Sequence, residues 1–142
     1  MHYCFVFALL ACLFLLENCA PYRAAWHSGW TQHDADNSIM LVIDQPPTLG
    51  YKRLKSHCAI HPEFSQLLEE LGQPDCLAES TQEDQHYMIL YYLNQRHAFS
   101  CRTNAKRSSA VMQFSGPYPV SDKEFRTLTQ FKAKALLSLK NH

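Results

Sequence analysis

The sequence predicts an α+β fold: a small antiparallel meander of three or four strands packed by two helices, behind an N-terminal signal and tether. Three observations predict it. One apolar stripe of helical period follows Pro62. A series of short apolar and aromatic runs, separated by polar turns, fills residues 76–114. A capped amphipathic segment begins at Ser121.

Taken in order, the chain opens on an uncharged apolar run, Tyr3 to Leu16, of fourteen residues. A helix needs about 20 residues to cross about 30 Å of hydrocarbon, so this run is too short to span as one. It has the size of the apolar region of a secretory signal. An ordinary cleaved or uncleaved signal and a buried N-terminal helix are the other readings. Residues 20–50 read as a tether with Trp26, Trp30 and the cluster His33-Asp34-Asp36. Within it, Ile39 to Ile43 is a short apolar run, either a strand or a hydrophobic docking segment. Pro46-Pro47 and Gly50 mark a boundary, which places a single domain at 51–142.

A short helix with a Lys52-Arg53-Lys55 face is expected over Leu49 to Cys58. The next helix is better signalled. Pro62 suits a first helical position, where its missing N–H costs nothing. Phe64, Leu67, Leu68 and Leu71 fall on one stripe. Gly72 can take a left-handed cap, and Pro74 forbids continuation. Cys76 to Thr81 is a candidate first strand, with a polar turn at Gln82-Glu83-Asp84-Gln85. Tyr87 to Leu93 is apolar or aromatic on both faces and predicts a central strand. Asn94 to His97 reads as a turn and Ala98 to Arg102 as the return strand. Val111 to Phe114 is a last strand, ended by Gly116-Pro117 and Pro119. Ser121-Asp122-Lys123-Glu124 is a capping box that opens the final helix. Phe125, Leu128, Phe131 (or the stem of Lys132), Ala135, Leu136 and Leu139 form its expected buried stripe.

The formal net charge is zero, which argues against a nucleic-acid partner. Charge is unevenly spread. From Pro62 to His86 there are acids and no Lys or Arg, whereas bases dominate from Arg102 onward. A basic end formed in this way can face an acidic partner or anionic lipid. Tyr87, Tyr91, Arg96, Arg102, Lys132 and Lys134 are the candidate partner surface.

Cys58, Cys76 and Cys101 lie beyond residue 50. A Cys58–Cys76 disulfide is possible, and it would stabilise by about 3 kcal/mol in the chain-entropy model. Three buried free thiols are the alternative. The densest set of ligand types is His57-Cys58-x-x-His61, which joined by Cys76, His86 or Cys101 would give an N/S zinc site. No CxxC pair exists, and His61 is the natural cap before Pro62, so no metal and no cofactor are expected. A Cys101–His97 catalytic pair is disfavoured, because four residues along one strand span about 13 Å. No Gly-rich phosphate loop occurs among the four glycines, and no catalytic residue is assigned.

The leader closes on Leu15-Leu16-Glu17-Asn18-Cys19. With Leu16 three residues before Cys19, it resembles the lipobox of bacterial lipoprotein precursors. The resemblance implies a lipidated Cys19 and a membrane tether in the cell envelope. Ala20 rather than Asp after the cysteine implies the periplasmic face of the outer membrane over the inner membrane. The step Leu71-Gly72-Gln73-Pro74-Asp75 and the tyrosine-rich strand resemble the small outer-membrane lipoproteins of the SmpA/OmlA type. That likeness implies a non-enzymatic binding or scaffold role beside an envelope protein. The alternative expectation is an exported metal- or thiol-dependent protein using His57, Cys58, His61 and Cys101.

Overall fold

The computed structural model describes residues 39–107 and 109–140. The leader, Cys19 and the Trp26–Asp36 region lie outside the described residues. Residues 38–142 form one compact unit. Its elements are β1 (Ile39–Leu41), α1 (Leu49–Ile60), α2 (Pro62–Leu71), β2 (Cys76–Gln82), β3 (Gln85–Tyr92), β4 (His97–Asn104), β5 (Gln113–Pro119) and α3 (Asp122–Lys140).

The five strands form one antiparallel sheet in the order β1-β2-β3-β4-β5. This is the expected α+β meander with a further strand and a further helix. The extra strand is β1, whose residues pair Ile39 with Ala78 and Leu41 with Cys76. The apolar run at 39–43 thus lies inside the domain, and the domain begins well before residue 51. Thr48 makes this possible. Its hydroxyl donates to Leu41 O at 2.6 Å and accepts from Ile43 N at 3.0 Å and Tyr51 N at 3.3 Å. One side chain therefore caps α1 and ties it to the strand it follows. Gly50 allows close contact, since a Cβ there would sit 2.5 Å from Leu41 O.

The last strand also differs from expectation. Val111 is 74% exposed, and β5 runs instead through Gly116 and Pro117 to Pro119. This is an edge strand, where a missing N–H leaves no ladder bond unmade. Its pairing with β4 is shifted between Ala98 and Ser100.

Strand parity assigns the two faces of the sheet. Leu77, Met88, Leu90, Tyr92 and Cys101 point to one face, where they cluster with Leu54 of α1 and Phe64 of α2. Burying side chains of this size contributes about 1.5–3 kcal/mol each. Cys76, Ala78, Ile89, Tyr91 and Ala98 lie on the other face, and all are buried. On that side α3 docks through Leu128, 3% exposed, and through Lys132, whose ammonium lies 2.5 Å from Asp75 Oδ1. The capping box forms as expected: Glu124 Oε2 accepts from Ser121 N at 2.9 Å, and Ser121 Oγ accepts from Glu124 N at 3.3 Å. No helix among the described residues is long and apolar enough to cross a membrane.

Candidate functional site

The face of the sheet covered by α1 and α2 is apolar along most of its length and polar at one end. Leu77 is followed on that face by Glu79 and Thr81, and across the hairpin Leu90 and Met88 are followed by His86. Over this end α1 brings Arg53 and His57 in its last two turns. Phe64, fully buried, walls the inner side, with its ring edge-on to His57 at 6.1 Å between centroids.

Glu79 is the hub. Its Oε2 accepts from Arg53 Nε at 2.9 Å and from Arg53 Nη2 at 2.7 Å. Its Oε1 lies 2.7 Å from His57 Nε2 and 3.9 Å from His86 Nε2. The rings of His57 and His86 stack at 5.2 Å between centroids. One nitrogen of each histidine and one Glu79 oxygen all lie within 4.8 Å of one another. On its far side, His86 Nδ1 bonds Thr81 Oγ1 at 3.1 Å. His86 Nε2 is buried and has no hydrogen-bond partner among the described residues.

The electrostatics follow from this packing. Burial alone would raise the Glu79 carboxyl, but the hydrogen bonds from His57 and Arg53 outweigh it and hold its pKa below the ordinary value. Desolvation lowers the pKa of His86, against the pull of Glu79, and so favours the neutral imidazole. The site therefore combines an anionic oxygen, a neutral ring nitrogen and a second imidazole in a pocket whose three side chains are 11–15% exposed.

Of the ligand types read from the sequence, the fold gathers only His57 and His86. Cys58 packs against the apolar core rather than toward Glu79. His61 is buried as the shared residue between α1 and α2, with Nδ1 3.5 Å from Glu63 Oε1. Glu79 was not among the sequence candidates.

All three described cysteines are free thiols, so the possible Cys58–Cys76 disulfide is not formed. Parity explains it. Cys76 faces α3, whereas Cys58 sits in the cluster on the opposite side of the sheet. Burial raises all three thiols, Cys76 to about 12, which opposes thiolate chemistry. Cys101 is 1% exposed while His97 is exposed at the start of β4.

The candidate partner surface divides in the same way. Tyr91 is 4% exposed and belongs to the face beneath α3, so it is not available to a partner. Tyr87 is half-buried, and Arg102 donates to Gln113 Oε1 at 2.6 Å. Arg96 pairs with Asp122 and lies over the Phe125 ring at 4.5 Å. Lys132 is engaged with Asp75, and Lys134 is exposed. The basic C-terminal half of α3 stays accessible, whereas the tyrosine-rich hairpin is largely structural.

No family model, curated protein or solved structure matches this chain.

Proposed function

We propose that this chain is a small membrane-anchored lipoprotein of the cell envelope that acts as a non-enzymatic binding or scaffold module. The anchor is a lipid on Cys19, supported by the apolar leader and by Leu16 three residues upstream. The binding role is supported by one observation above the rest. The N-terminal end of α1, the edge strand β1 and the C-terminal half of α3 enclose an open, mainly apolar groove of about 240 Å³. Ile39, Leu41, Phe131 and Ala135 line it. Leu49 and Leu139, which also line it, are 64% and 38% exposed, and Lys134 and Lys140 are exposed on the same half of α3. Apolar side chains grouped in this way on a small domain mark contact surfaces, and the adjoining lysines favour an acidic partner segment.

Two measurements test the two halves. Radiolabelled palmitate should be incorporated by the wild type and lost in Cys19→Ala; labelling unchanged by that substitution refutes the anchor. A photo-crosslinker at Leu49 or Leu139, which line the groove, should capture an envelope protein in intact cells, whereas the same group at Glu83, on the β2–β3 turn, should not. Equal capture from both sites, or none from either, refutes the groove as the contact surface.

A further inference from the structure

We infer that His57, Glu79 and His86 form a binding site for a divalent first-row transition ion, with zinc as the best-matched occupant. Thr81 Oγ1 bonds His86 Nδ1 at 3.1 Å, and His86 Nε2 is buried with no hydrogen-bond partner among the described residues. It lies 3.9 Å from Glu79 Oε1, too far for a direct hydrogen bond. A buried polar atom left without a partner is unfavourable. With the ring proton on Nδ1, donated to Thr81, a cation between Nε2 and Oε1 satisfies both atoms.

The spacing suits an ion. Zinc bonds nitrogen and carboxylate oxygen at about 2.0–2.2 Å, which in tetrahedral geometry separates ligand atoms by about 3.3–3.5 Å. The two separations in the structure, 2.7 Å from His57 Nε2 and 3.9 Å from His86 Nε2 to Glu79 Oε1, bracket that value. Each needs to change by only about half an ångström to just under one, a shift within the reach of side-chain torsions.

The surroundings have the form of an outer shell. Thr81 orients one imidazole, and Arg53 occupies Oε2 so that Oε1 turns toward the histidines. The Arg53 charge also lowers affinity for a cation, so the site is suited to exchangeable rather than permanent binding. Two histidines and one carboxylate suit zinc and its first-row neighbours better than calcium or magnesium, which prefer all-oxygen shells. Three protein ligands leave a coordination position open to water or to a small anionic or carbonyl ligand. The site is independent of the lipid anchor and lies on the opposite face of the sheet from α3.

The test uses the full chain in detergent, stripped with a chelator and titrated with zinc against a chromophoric competitor. Binding of one ion should weaken more than about 100-fold in His86→Gln and in Glu79→Gln, because loss of even an outer partner costs about 10–100-fold. Thr81→Val should weaken it about 10–100-fold, and His97→Ala should leave it unchanged. Circular dichroism on each variant establishes that it is folded. On the wild-type chain alone, zinc should shift the ring-nitrogen resonances of His57 and His86 together and leave that of His97 in place. Zinc affinity unaltered in folded His86→Gln, or ring shifts confined to other histidines, overturns the assignment.

Discussion

Asp75 joins three elements, and its removal is the sharpest test of how α3 is held. Its Oδ2 accepts from Leu93 N at 2.7 Å, and its Oδ1 lies 2.5 Å from Lys132 Nζ. Its backbone carbonyl accepts from Val42 N at 3.1 Å. Asp75→Ala leaves the N–H of Leu93, a residue 5% exposed, without its acceptor. A hydrogen bond to a charged group contributes about 1.5–3 kcal/mol. The Lys132 pair, 35% and 18% exposed, is screened by water and adds about 0.5–1 kcal/mol. The expected cost of Asp75→Ala is therefore about 2–4 kcal/mol. In a domain of this size that lowers Tm by roughly 10–20 °C. Asp75→Asn keeps an acceptor for Leu93 and should cost about half as much. Lys132→Met should cost no more than about 1 kcal/mol. Urea unfolding followed by far-UV circular dichroism on the three variants and the Asp75→Ala/Lys132→Met double variant gives the coupling. If Asp75→Ala costs less than about 1 kcal/mol, or no more than Asn, the Leu93 bond does not hold this junction and the reasoning fails.

Two further outcomes rest on independent contacts. Gly50→Ala would ordinarily gain about 1 kcal/mol in a helix, but its new Cβ would lie 2.5 Å from the Leu41 carbonyl, which is backbone and cannot step aside. We expect a net loss of about 1–3 kcal/mol in urea unfolding. The Glu63 carboxylate accepts the Met112 N–H at 2.6 Å, and this bond, with that of its own backbone, lowers its pKa below the ordinary 4.5. Its stabilisation is therefore complete above about pH 4.5 and lost as pH falls toward the folded-state value. The stability gap between wild type and Glu63→Gln should narrow across that acid window.

The helix Pro62–Leu71 and the capping box were legible because their signals are local. Proline, glycine and an apolar stripe act within a turn or two of the residues they organise. The elements marked only weakly depend on contacts far apart in sequence: a strand is one of two readings of residues 39–43, and a short helix is expected over Leu49 to Cys58. Ile39–Leu41 is too short to declare itself a strand, and becomes one because Cys76–Ala78 offers a pairing edge. Leu49–Ile60 presents a weak apolar face, and its fixing element is Thr48, whose hydroxyl reaches back seven residues to Leu41. Gly116-Pro117 reads as a strand terminator, yet the sheet edge accepts it because no sixth strand needs the missing donor among the described residues.

The metal-ligand cluster illustrates a different kind of loss, one that sequence reasoning could have recovered in part. The sequence marks Gln82 to Gln85 as a turn, and a tight turn there fixes register. Gln82 opposite Gln85 puts Thr81 opposite His86 and Glu79 opposite Met88. Glu79 and His86 then become diagonal neighbours on one face, within reach of long side chains. Parity further sends that face, shared with Leu77 and Leu90, toward a helix rather than toward water. A carboxylate and an imidazole pointing into a covered face need partners there, and that need is a stronger site signal than adjacency in sequence. The motif His57-Cys58-x-x-His61 drew attention because its ligand types are consecutive. The fold uses its first histidine, turns Cys58 into the core and gives His61 to the helix junction. Its missing partners come from the hairpin, where register rather than spacing brings them together.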